Sequence, residues 1–100
     1  MIYAYIRTST DKQNNANQRF EIERFAAQNK LSINKWVEET ISSKKDLEER
    51  KLGQLLKKIH SNDIIISTEI SRLGRNLLQV MSILHHCMTV GCNVWTINDQ

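Results

Sequence analysis

The sequence predicts a three-layer α/β/α domain, with a mostly parallel central sheet covered by helices on both faces. Three observations carry that expectation. Short β-branched or aromatic runs alternate with segments of helical period, in the order strand, helix, strand, helix, strand, helix, strand. One of the runs, Ile64, Ile65 and Ile66, is continuously apolar, as in a strand buried on both faces. The length of 100 residues is that of one domain with one modest core, and residues 1–100 are taken as that domain.

The elements follow in order. Residues 1–7, MIYAYIR, are rich in Ile and Tyr and predict a short buried strand. The stretch TSTDKQNN through Asn15 has no hydrophobic period and predicts a loop. From about Ala16 the pattern becomes helical, with Gln18, Ile22, Phe25, Ala26 and Asn29 on one face. Ile33 to Val37 predicts the second strand, and residues 38–46 a polar connection. Asp46, with Glu49 three residues on, predicts a capping box for a second helix. Its stripe is Leu52, Leu55, Leu56 and Ile59, and Lys57, Lys58 and His60 are expected in its last turn. After the isoleucine strand, residues 69–76 form a charged turn containing Gly74. The third helix is expected to bury Leu77, Val80, Met81, Leu84 and Met88, and to end at Gly91. Leu78, Ile83 and Cys87 lie off that stripe, so this helix is either deeply buried or presents a face to another helix. Val94 to Ile97 predicts the last strand.

Charge and composition exclude several classes. The net charge is +3, divided as +1 and +2 between the halves, so contact with a polyanion would depend on placed residues and not on a basic tail. No apolar run reaches the ~18 residues of a membrane span, and Met1 leads into no signal peptide. The expectation is a cytoplasmic protein without a membrane partner. Cys87 and Cys92 fit neither a disulfide framework nor a zinc site and read as buried thiols. His60, His85 and His86 lack metal-ligand spacing, and neither a Walker sequence nor GxGxxG occurs, so no metal and no cofactor is expected.

Sites of parallel α/β sheets gather outside the carboxyl ends of the strands. Two polar segments lie there, Thr8 to Asn17 and Ser67 to Asn76. Arg7 ends an apolar strand, an expensive place for a charge, and Ser9 lies two residues on. A guanidinium there can hold an anion while a hydroxyl faces it; equally, Arg7 can be a strand-end surface residue and Ser9 a turn former. Arg72 and Arg75, three apart in SRLGR, would face one side of a helical turn, with Gly74 permitting close backbone approach. They read as a phosphate clamp at a helix start or as a solvated charge cluster.

YIRTSTDKQ resembles the opening signature of the serine recombinases, the resolvase and invertase family, through Tyr5, Arg7, Ser9, Thr10 and Gln13. Gln18 is similar to the family's glutamine at the start of its first helix, Arg50 in ERK to its mobile-loop arginine, and SRLGR to its Asp-Arg-Leu-Gly-Arg box. The resemblance covers essentially the whole chain and implies a resolvase-like catalytic domain acting on double-stranded DNA. It implies that Ser9 attacks a backbone phosphate, forming a 5′-phosphoserine bond and freeing a 3′-hydroxyl, without metal or ATP. Arg7, Arg50, Arg72, Arg75 and Gln18 would complete the catalytic set, and Thr10 and Gln13 would contact DNA phosphate. A transition state with charge on its equatorial oxygens suits preorganised guanidinium groups, and these are four of only six arginines.

Inversion, resolution and integration are all compatible with the resemblance, as is a homodimer that forms a synaptic tetramer in the full-length protein. The chain departs from the family pattern in having Ser71 where the box begins with Asp, and Glu38 or Glu39 where an Asp commonly follows the second strand. It ends before the family's dimerisation helix and DNA-binding domain, and so reads as a truncated core. Two alternatives remain: a non-catalytic DNA-binding or regulatory module that keeps the fold, and a phosphate-binding signalling domain of flavodoxin-like order. The latter would want an acidic cluster at the strand ends, which Asp11 and Asp63 do not make by position.

Overall fold

The computed structural model describes residues 1–8, 12–40 and 50–99, with the side chains of residues 12 and 13 outside that description. Four strands, β1 (Ile2–Thr8), β2 (Lys35–Thr40), β3 (Ile64–Ser67) and β4 (Asn93–Thr96), form one parallel sheet in the order β2-β1-β3-β4. Helix α1 (Lys12–Gln28) joins β1 to β2, α2 (Lys51–Leu56) precedes β3, and α3 (Leu77–Val90) joins β3 to β4. A short 3₁₀ turn, Ile70–Arg72, lies between β3 and α3.

The period-2 alternation of the strands divides the core into two. Ala4, Ile6 and Ile66 face Ile22 of α1, with Phe25 and Trp95 meeting edge to face at 6.1 Å between ring centroids. Tyr3, Tyr5, Val37 and Ile65 point the other way, onto Leu52, Leu55 and Leu56 of α2 and Ile83 and Cys87 of α3. One helix therefore covers one face and two cover the other. Each buried Ile or Leu contributes roughly 1.5–3 kcal/mol by leaving water. Because the first connection leaves β1 in one direction and the third leaves β3 in the other, the carboxyl ends of β1 and β3 flank the topological switch point, the place where sites of such sheets form.

Several expectations need correction. Helix α1 begins at Lys12, four residues before Ala16: its first turn is polar and so has no apolar period to read. Asn29 lies beyond its end and is exposed. β2 runs to Thr40, so Glu38 and Glu39 belong to a strand and not to a connection. The capping box of Asp46 and Glu49 lies outside the described residues, and the described part of α2 ends at Leu56, with Lys57 as its C-cap. Lys58 and His60 therefore follow the helix instead of closing its last turn.

The face of α3 is also rotated. Val80, Ile83 and Cys87 are buried, whereas Leu77, Leu78, Met81 and Met88 are exposed and Leu84 is half-buried. Two apolar stripes overlap on this helix, and the sheet takes the one with the smaller side chains. The end of α3 is as expected: Gly91 takes the left-handed conformation at φ 93°, and its amide and that of Cys92 both donate to the Cys87 carbonyl. A Cβ on Gly91 would lie 2.9 Å from Ser61 Oγ.

Among the described residues no helix is long and apolar enough to cross a membrane. No cluster of three or more His, Cys, Asp or Glu side chains there could hold a metal ion.

Candidate functional site

The switch point gathers Arg7 and Thr8 from β1, Gln18 from α1, and Ser67 to Arg72 from the end of β3. The two arginines are interlocked. Arg7 Nε–H donates to the Arg72 carbonyl at 2.9 Å and its Nη2–H to the Ser71 carbonyl at 3.3 Å. Arg72 Nη1–H reaches back to the Arg7 carbonyl at 3.5 Å. Each guanidinium is thus held against the other's backbone, so two cations sit side by side without relying on each other's charge. Burial, and then the neighbouring charges of Arg50 and Arg72, pull the Arg7 guanidinium below its ordinary value. It remains a cation at neutral pH.

Gln18, buried on α1, donates from Nε2 to the Arg7 carbonyl at 3.1 Å and to Asn14 Oδ1. Its Oε1 is buried and has no hydrogen-bond partner among the described residues.

Arg72 is also fixed from its other side. Its Nε–H donates to Glu69 Oε2 at 3.1 Å, and its backbone amide to the Glu69 carbonyl at 3.0 Å. Glu69 accepts further hydrogen bonds from Thr68 Oγ1 at 2.7 Å and Asn98 Nδ2 at 3.2 Å. Burial pushes the Glu69 carboxyl up, but the bonds from Thr68, Arg72 and Asn98 outweigh it and leave the carboxyl below its ordinary range.

Arg72 and Arg75 do not share a helical turn. Arg72 ends the 3₁₀ turn, and α3 starts at Leu77 with Asn76 as N-cap, its side chain accepting from the Gln79 amide at 2.8 Å. Leu73 turns into the core between them, and Gly74 packs so closely on α3 that a Cβ would lie 2.9 Å from the Val80 nitrogen. Arg75 is exposed, and its amide donates to Gln79 Oε1 at 2.9 Å.

Arg50 stands apart, buried to 2% exposure behind β1. Its Nη2 donates to Tyr5 Oη at 2.8 Å and the Leu73 carbonyl at 3.1 Å, its Nη1 donates to Gln79 Oε1 at 3.1 Å, and its Nε lies 3.7 Å from Glu39 Oε1. Glu39 is equally buried. It accepts from Tyr5 Oη at 2.7 Å and caps α2 by accepting from the Lys51 and Leu52 amides at 2.8 and 3.0 Å. Burial, more than any neighbour, raises the Tyr5 phenol well above its ordinary value, so it stays a neutral donor.

Ser9 and Thr10 lie outside the described residues, as does the Gln13 side chain. In the chain, Ser9 is the second residue after Arg7. The structure thus brings Arg7, Arg72 and Gln18 together, sets Arg75 at the rim, and seats Arg50 in a separate buried network. Sequence reasoning missed Glu69 and the joint role of Tyr5 and Glu39. The available signal for Glu69 was its place three residues before Arg72 in a turn-forming segment.

Comparison with known proteins places the chain in a family. The family model described as "Resolvase, N terminal domain" matches residues 2–100. The transposon Tn2501 resolvase of Escherichia coli is 33% identical over 100 residues, covering 90% of this chain and 50% of that protein. Serine recombinase PinR of Escherichia coli strain K12 is 34% identical over 94 residues, covering 93% of this chain and 47% of that protein. The chain therefore spans about half the length of these curated relatives. Among solved structures, the catalytic domain of ISC1926 TnpA, an IS607-like serine recombinase, superposes with a TM-score of 0.79 at 16% identity, over 100% of this chain and 69% of that one. The N-terminal catalytic domain of TP901-1 integrase gives 0.78 at 15% identity, over 97% and 76%. At such identities these two likenesses speak for the fold.

Proposed function

The chain belongs to the resolvase N-terminal domain family, and from that premise we propose that residues 1–100 are the catalytic domain of a site-specific DNA recombinase. Ser9 Oγ attacks a backbone phosphorus of duplex DNA. The P–O3′ bond breaks, the phosphate stays on Ser9 as a 5′-phosphoserine, and the 3′-oxygen leaves as a hydroxyl with the proton that Ser9 gave up. Attack by a 3′-hydroxyl on the phosphoserine reverses the step and rejoins the strand. The observation that supports this best is the Arg7–Arg72 pair. Two guanidinium groups ordered before substrate arrives, at the strand end that leads into Ser9, suit the charge that builds on the phosphate oxygens. Arg75 adds charge at the rim, and Thr10 and Gln13 contact the neighbouring phosphates. Gln18 holds the Arg7 backbone in register. Arg50 reaches the phosphate only by leaving its seat against Tyr5 and Glu39.

On this reading the partner is double-stranded DNA, and the working assembly is a homodimer that pairs into a synaptic tetramer. Its place is the cytoplasm, on the cell's DNA. The test is independent of the target site. The protein is incubated with fragmented DNA from the cell that makes it, denatured, and digested with nuclease and trypsin. A nucleotide adduct is expected on the peptide Thr8–Lys12, and none with Ser9→Ala. An adduct that persists in the variant moves the nucleophile to Thr10. No adduct with the wild-type protein overturns the enzymatic reading in favour of a DNA-binding module.

A further inference from the structure

We propose that Glu69 is a positioning residue of the reaction: it fixes the guanidinium of Arg72 in the orientation that receives the phosphate. The inference rests on reading Arg72 as a phosphate-binding group. An arginine that must be ordered as the substrate arrives loses side-chain entropy at that moment, whereas one ordered during folding does not. Glu69 holds Arg72 through two bonds, from the Arg72 amide to its carbonyl and from Arg72 Nε–H to its carboxylate. With Nε engaged there and Nη1 turned to the Arg7 carbonyl, rotation about the end of the side chain is arrested. The described contacts leave Nη2 for an anion.

Glu69 is itself held in place. Thr68, fully buried, donates its hydroxyl to Oε2, and Asn98 donates to Oε1. The Thr68 carbonyl accepts from the Ile97 and Asn98 amides at 3.2 and 2.9 Å, which binds this segment to the end of β4. Ser67 Oγ donates to the Glu69 carbonyl at 3.2 Å. Ser71, beside Arg72, carries no charge and lends its carbonyl to Arg7. A carboxylate already occupied by three donors and held below its ordinary range is a poor base for the Ser9 proton. Its chemistry is that of an anchor.

Glu69→Gln keeps length and shape but removes the charge. The rate of adduct formation at saturating genomic fragments is expected to fall at least tenfold. The DNA concentration giving half the maximal rate should change less than threefold, a split that a merely structural defect would not produce. A second readout needs no catalysis: the Arg72 Nε–H resonance, observed by ¹⁵N NMR, should exchange slowly in the wild-type protein and lose that protection in Glu69→Gln. A rate within threefold of wild type overturns the proposal, and so does an unchanged Nε–H signal. If the wild-type protein forms no adduct, the functional reading fails, and the NMR result alone decides whether Glu69 positions Arg72. Should Glu69→Gln not fold, Thr68→Val, which removes the donor that holds Oε2, is judged by the same two readouts.

Discussion

Replacing Glu39 with Ala should be among the most damaging single changes in this protein. The carboxylate is 4% exposed and satisfies the Tyr5 hydroxyl and the first two amides of α2, while lying 3.7 Å from the Arg50 guanidinium, itself 2% exposed. Removing it leaves a cation buried without an anion. Losing one partner of such a pair costs ~3–5 kcal/mol, the amides near exposed Lys51 being partly rescued by water. That is a large share of the ~5–15 kcal/mol that stabilises an ordinary domain. In urea, with a slope of roughly 1–3 kcal/mol per molar, the midpoint should fall by at least about 1 M. The double variant Glu39→Leu, Arg50→Met removes both charges and fills the space. It should recover most of the loss, giving a coupling of at least about 2 kcal/mol. A Glu39→Ala loss below ~1.5 kcal/mol, or two single effects that simply add, would show that water reaches this pair and that the network is not the buried unit described.

Arg72→Lys and Arg75→Lys should each slow adduct formation at least tenfold, about 1.4 kcal/mol of transition-state stabilisation, although no charge is lost. Near-normal rates in either lysine variant would make that residue a general electrostatic contact. Asp63 carries the acid sensitivity of the opposite end of the sheet. Hydrogen bonds from the N-terminal ammonium at 2.8 Å and the His60 amide at 2.8 Å hold its carboxyl below the ordinary range, outweighing burial. A depressed carboxyl contributes its full stability above the unfolded value of ~3.9 and loses it as pH falls through the folded value. Urea midpoints measured from ~pH 6 down to ~pH 2 should therefore fall less steeply in Asp63→Asn than in wild type, and parallel curves would refute the assignment.

The architecture was legible because each of its signals is local. The Ile64–Ile66 run, the alternation of elements and Gly91 after α3 each report on a few neighbouring residues. Arg7 and Arg72 could be named from residue types and spacing, and Gln18 from the family resemblance, and the fold brings these three together. What could not be read depends on long-range contact. Glu39 looked like part of a solvated connection because its partners, Tyr5 and Arg50, lie 34 and 11 residues away in the chain. The rotation of α3 was ambiguous because Met81 and Ile83 serve equally well in a periodicity argument, and only the shape of the sheet chooses between them. Glu69 meets Arg72 only through the 3₁₀ turn between them, which no hydrophobic period in the sequence announces.

Gln79 has a consequence for how the arginines behave as a set. Its side-chain Oε1 accepts from Arg50 Nη1 and from the Arg75 backbone amide, while its own backbone amide donates to the Asn76 side chain. The buried arginine and the rim arginine thus draw on one shared atom. Displacing Arg50 removes one of the two donors to that atom and leaves the Arg75 backbone amide as the other. By linkage, whatever holds Arg75 in a new position must change the cost of moving Arg50 by the same amount. The two are joined at this atom, and Gln79→Leu removes the shared acceptor while leaving the bond from Arg50 Nη2 to the Leu73 carbonyl.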